Sequence, residues 1–196
     1  MRLINAGGQV ITTWHPLYDK KGIGDDYVGY DDLLTDVSKE ISQGFMSEST
    51  FIGILNWKAP RVKGKIRKNH EYYNDAIKRV LVSPDLEKLK ILAGLDGIDV
   101  PVASTILNFI YPDVFPIMDF RVAEALKKFG YLDAKARSLS NYHKYQKEIL
   151  KIVHDSGCSM REVDRALFAY HKLIIDPEKK KEKSRCGNVR CYQILP

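Results

Sequence analysis

One stretch constrains the fold more than any other. Residues 92–103 read Leu92-Ala93-Gly94-Leu95-Asp96-Gly97-Ile98-Asp99-Val100-Pro101-Val102-Ala103, and residues 115–122 read Phe115-Pro116-Ile117-Met118-Asp119-Phe120-Arg121-Val122. Apolar residues recur at helical spacing on both sides of Gly97: Leu86, Leu89, Ile91 and Leu92 before it, Val102, Ile106, Phe109 and Ile110 after it. The interval between the two patterns is too short for anything but two helices meeting at a tight turn, a helical hairpin over residues 85–111. Pro101 suits the first turn of the second arm, where a backbone N–H would have no partner. A lone carboxylate, Asp119, then stands at the entrance of a third helix that Gly130 stops.

The rest of the chain reads as further helices around that hairpin. Periodicity predicts helices over 31–43 with Gly44 as the stop, over 47–59 with Ser47 as cap and Pro60 as the break, and over 69–81. It predicts two more over 139–154 and 160–174, the last opened by a Ser159–Glu162 capping box. Residues 1–30 are broken by glycines, and Gln9-Val10-Ile11-Thr12-Thr13-Trp14 is β-prone, so a short extended arm is expected there. Residues 176–196 carry no apolar period and are expected to form a basic mobile tail. The expectation is an all-α chain: an arm over 1–30, one helical domain over 31–175 in two lobes around a cleft, and the tail.

Charge sharpens the choice of partner. The chain is +6 overall, and residues 58–68 hold Lys58, Arg61, Lys63, Lys65, Arg67 and Lys68 with no acid. Such a cluster fits a polyanion, whose counterions are released on binding. No run of eighteen apolar residues exists and the N-terminus lacks a basic region before an apolar one, so neither membrane span nor signal peptide is expected, and a cytoplasmic protein is. Three cysteines, Cys158, Cys186 and Cys191, make a poor disulfide framework and too small a set for an iron–sulfur cluster. No spacing of His and Cys predicts zinc, and no glycine-rich loop predicts a nucleotide cofactor, so none is expected.

The segment from Leu95 to Ala103, followed by Asp119 in Pro116-Ile117-Met118-Asp119-Phe120-Arg121-Val122, resembles the helix-hairpin-helix DNA glycosylases over roughly a fifth of the chain. In that superfamily the hairpin reads approximately Leu-Pro-Gly-Val-Gly-x-Lys-x-Ala, and a later Pro-Val-Asp-x-x-Val supplies the essential acid. Residues 57–61 and 161–172 also look similar to a family of bacterial proteins with no assigned activity. The resemblance implies a helix-hairpin-helix bundle, DNA as partner, and Asp119 as the catalytic carboxylate that stabilises an oxocarbenium-like sugar and orients water. It also implies that the backbone N–H groups of Gly97, Ile98 and Val100 face phosphate, with Lys58, Arg61, Lys63 and Lys65 extending the basic footprint. Pro101 occupies the place of the Schiff-base lysine of bifunctional relatives, so the implied activity is monofunctional base excision. Asp99 replaces the second hairpin glycine and brings negative charge to the turn. Two other readings fit the same residues: a non-catalytic DNA- or RNA-binding protein, and a protein–protein interaction module. For Asp119 itself, a plain helix cap is compatible with either.

Overall fold

A computed structural model describes residues 9–20, 22–24, 29–60, 70–132 and 139–180. These are predominantly helical, with nine α-helices and no strand among them. They are α1 (Gln9–Trp14), α2 (Tyr30–Ile41), α3 (Glu48–Lys58), α4 (His70–Val82), α5 (Asp85–Ala93), α6 (Val100–Ile110), α7 (Phe120–Lys128), α8 (Leu139–Ser156) and α9 (Met160–Tyr170). None of the described helices is long and apolar enough to cross a membrane.

Local chemistry sets most of the boundaries. Ser47 caps α3 by accepting from the Thr50 N–H, and Ser159 with Glu162 closes the capping box at α9. Gly44, Gly130 and Gly157 follow α2, α7 and α8 with φ of 80°, 81° and 69°, the left-handed conformation in which a helix end is commonly closed. Helices α5 and α6 pack side by side, joined by residues 94–99. Gly97 supplies φ of 77° in that turn, the Ile98 N–H donates to Leu95 O (3.1 Å), and Tyr73 of α4 donates its hydroxyl to Asp96 O (3.1 Å). Asp99 caps α6 by accepting from the Val102 N–H (3.1 Å).

Helix α6 is the centre of the molecule. Residues 102–109 of it are all buried, and it packs against α2, α3 and α5. A helix apolar or small on every side has no solvent face to keep polar. Its three buried polar residues each have a partner. Ser104 and Thr105 donate to Pro101 O, and Asn108 accepts from the Tyr30 hydroxyl (2.8 Å) while donating to Phe115 O (2.8 Å).

Three expectations need correction. Gln9–Trp14 is helical and not extended. Ile11 is buried and Trp14 meets Tyr170 edge-on at 5.2 Å, so packing of α1 on α9 overrides the β propensity of the segment. Leu86 is 71% exposed, while Lys88 is buried beside it and donates to Val80 O (2.7 Å) and Ser83 O (2.6 Å), so an ammonium satisfies the end of α4 where a leucine was expected to pack. Residues 176–180 are helical too: α9 passes through a π-helical turn, His171–Ile175, and runs on to 180. Two contacts tie that extension to α7, Lys179 to Glu124 (2.6 Å) and Lys128 to Glu178 (3.0 Å). Residues 181–196, with the rest of the expected tail, lie outside the described part.

Candidate functional site

Asp119 is delivered to its position by four non-helical residues, and the fold holds each of them from a different side chain. Asn108 donates to Phe115 O, the Tyr142 hydroxyl to Pro116 O (3.0 Å), and the Tyr145 hydroxyl to Ile117 O (2.7 Å). The Met118 N–H donates to Ser104 Oγ (2.9 Å). A buried irregular segment must find such partners or leave polar groups desolvated and unpaired. Burial pushes the phenols of Tyr142 and Tyr145 up, so both remain protonated donors.

At the end of this segment Asp119 begins α7. One carboxylate oxygen, Oδ1, accepts the Arg121 N–H (2.8 Å), the capping bond expected of an acid at this place. The other, Oδ2, accepts from Lys58 Nζ (3.0 Å) at the end of α3, and the two side chains are only 11% and 8% exposed. Burial raises the pKa of Asp119, but Lys58 and the Arg121 N–H outweigh it and hold the carboxyl below its ordinary value. The acid is therefore ionised at neutral pH.

Around Asp119 and Lys58 stand Tyr18, Trp57, Ile117, Arg161, Asp164 and Phe168. Arg161 pairs with Asp164 one turn along α9, and its guanidinium lies 4.3 Å from the Tyr30 ring centroid and 5.5 Å from that of Trp57. Burial raises the pKa of Asp164, and Arg161 and Lys58 only partly offset it. Two carboxylates thus share one niche with opposite shifts, Asp119 low and Asp164 high. The free space between the side chains is about 10 Å3, room for roughly one water. A nucleobase does not fit this conformation.

The sequence-predicted site residues separate. Asp119 and Lys58 come together, as an ion pair. Gly97 and Ile98 stay in the α5–α6 turn and Val100 at the first position of α6. There the Ile98 N–H is already donated to Leu95 O, Ile98 and Val100 are buried, and the Asp99 carboxylate occupies the N-terminus of α6 that a phosphate would approach. Of the three N–H groups expected to face phosphate, that of Ile98 is thus already paired within the turn. Arg61, Lys63 and Lys65 lie outside the described residues. Sequence reasoning missed Arg161, Asp164, Trp57 and Phe168 as site residues, whereas Tyr18 stands in an aromatic cluster, Trp14, His15 and Tyr18, that the sequence offers either as pocket lining or as an anchor to the core. The spacing Arg161, Asp164, Arg165 was a visible signal, since positions three and four apart share a helical face. No group of three or more His, Cys, Asp or Glu among the described residues is arranged to hold a metal ion, and Cys158 is a free thiol. Comparison of the chain with family models, with curated proteins and with solved structures found no match in any of the three.

Proposed function

We propose that the chain is a monofunctional DNA N-glycosylase of the helix-hairpin-helix type, with Asp119 as its catalytic carboxylate and α5–turn–α6 as its hairpin. The observation that carries this reading is the placement of Asp119: ionised, at the start of α7, bordered by aromatic rings, and fixed by four bonds along the segment before it. Breaking an N-glycosidic bond builds positive charge on the sugar, and a carboxylate held in place stabilises that charge without reorganising. Lys58 is the obstacle and the gate. It neutralises Asp119 in the closed niche, so a flipped nucleotide enters only as Lys58 and Trp57 withdraw and Asp119 exchanges an ammonium for an oxocarbenium-like sugar.

The closed niche and the Lys58 pair also favour a second reading, a nucleic-acid-binding protein that keeps the fold without the chemistry. Base release separates the two. Duplexes carrying uracil, alkylated purines, oxidised guanine or a mismatch are incubated with the wild type and with Asp119→Asn. The first reading expects abasic sites from at least one duplex and a loss of about 10²-fold or more in the variant. Binding without release from any of them supports the second.

A further inference from the structure

The turn between α5 and α6 presents acids, yet a positively charged surface exists elsewhere, beside the Asp119 niche. Tyr18 and Phe168 meet edge-on at 5.5 Å, and cations from two elements gather over these two rings. Arg121, in the first turn of α7, lies 5.2 Å from the Phe168 centroid and 4.4 Å from that of Phe120. Lys172, in the π-helical turn, lies 5.9 Å from Phe168. Arg165 of α9 lies 5.2 Å from Tyr18.

Acids compensate this set only in part. Arg165 has Asp19 at 3.8 Å, a pair whose acid is 66% exposed. Arg121 feels the Asp119 carboxylate through space but makes no ion pair or side-chain hydrogen bond with any described residue, nor does Lys172, and the buried Nε atoms of Arg121 and Arg165 have no acceptor among them. The Arg121 guanidinium is held by ring faces and not by an ion pair, while Arg165 has both the Tyr18 ring and Asp19. Stacking fixes a guanidinium flat at small entropic cost and leaves its terminal N–H edge for a ligand, a geometry that matches a phosphate. Salt bridges to neighbouring acids would have consumed the same edge.

We propose that Arg121, Arg165 and Lys172 form a phosphodiester-binding surface next to the Asp119 niche, and that this surface, not the α5–α6 turn, holds the backbone of a nucleic acid. The polymer follows from the spread of the three cations over two elements, beside a niche too small for a free nucleotide. The proposal goes beyond base excision and stands whether or not a base is released.

The test measures binding of the full chain to a fluorescein-labelled DNA duplex across a series of salt concentrations. Arg121→Met and Lys172→Met keep the stems that cover Phe168 and remove the charges. Circular dichroism and thermal melting establish that each variant is folded. The double variant is expected to bind about tenfold or more weakly, with a salt slope smaller by about 1.8, roughly 0.9 for each phosphate that is no longer neutralised. Arg121→Lys restores most of the slope. Asp99→Asn, in the α5–α6 turn, leaves affinity within about twofold, because no phosphate approaches it. Three results overturn the proposal: unchanged affinity and slope in the folded double variant, a wild type that binds no duplex, or displacement of the duplex by inorganic phosphate where chloride at equal ionic strength has no effect. The last would assign the cations to a free anion. Loss of base release in Asp119→Asn bears on the catalytic reading alone.

Discussion

A buried carboxylate with two donors is an energetic commitment before it is a catalyst. Asp119 and Lys58 are each other's counter-charge, and removing one partner strands the other away from water. Lys58→Met or Asp119→Ala should each cost about 3–5 kcal/mol, and the double replacement less than the sum. A double-mutant cycle in urea measures the coupling, expected in the range of about 0.5–3 kcal/mol. The pH dependence has a definite sign. Asp119 titrates lower in the folded chain than in the unfolded one, so its contribution is complete above the unfolded value of about 3.9 and is lost as pH falls through the depressed folded value. Asp164, shifted upward by burial, slopes the other way: it opposes folding as pH rises from the unfolded value through the folded one. Subtracting the urea stability of Asp119→Asn from that of the wild type between pH 2 and 7 isolates the Asp119 contribution, and the difference should shrink toward acid. A difference that grew toward acid would contradict the pairing. Asp119 was legible in the sequence because an acid before a helical period, after two prolines, is a local signal. Lys58 was visible only as one of a row of cations. Nothing in that row says that one of them turns inward to meet a residue 61 positions away.

At the scale of elements, local signals were legible and pairings were not. Ser47, the Ser159–Glu162 box and the glycines after α2 and α7 act within one turn of the helix they bound, and each is where the sequence places it. The clamp on residues 115–118 draws on α6 and α8, and no periodicity announces that Tyr142 and Tyr145 reach carbonyls 26 and 28 residues back. Tyrosines at helical spacing on an amphipathic helix announce only an apolar face. The clamp nonetheless makes a sharp prediction. Tyr145→Phe keeps the ring and leaves Ile117 O without its donor, and Ser104→Ala leaves the Met118 N–H without its acceptor. Each should cost about 1–3 kcal/mol in denaturant unfolding, as expected for a buried polar group left unpaired. Thr35→Val makes the contrast, because its hydroxyl bond to Asp31 O is exposed and its loss should fall within about 0.5 kcal/mol.

For the molecule as a whole, the N-terminal segment belongs to the core and to the wall of the site. In the sequence only the aromatic cluster Trp14, His15 and Tyr18 points to an anchor on the core, and it does not say on which helix. Its helix is six residues long, too short to declare itself by periodicity, and its partner α9 lies about 150 positions further along the chain. The contact is nevertheless one of the principal packings of the fold. Ile11 and Tyr18 are buried, Trp14 abuts Tyr170, and Tyr18 abuts Phe168, which with Tyr18 lines the niche around Asp119. Ile11 is not among the residues that line the niche, so its truncation tests packing without altering charge. Ile11→Ala should destabilise the chain by about 2–5 kcal/mol, the range for emptying a buried aliphatic site. Were α1 only an arm laid on an independent core, the same change would cost less than about 0.5 kcal/mol. Thermal and urea unfolding followed by circular dichroism distinguish the two, and a single cooperative transition lowered in midpoint is the outcome expected of an α1 that completes the core.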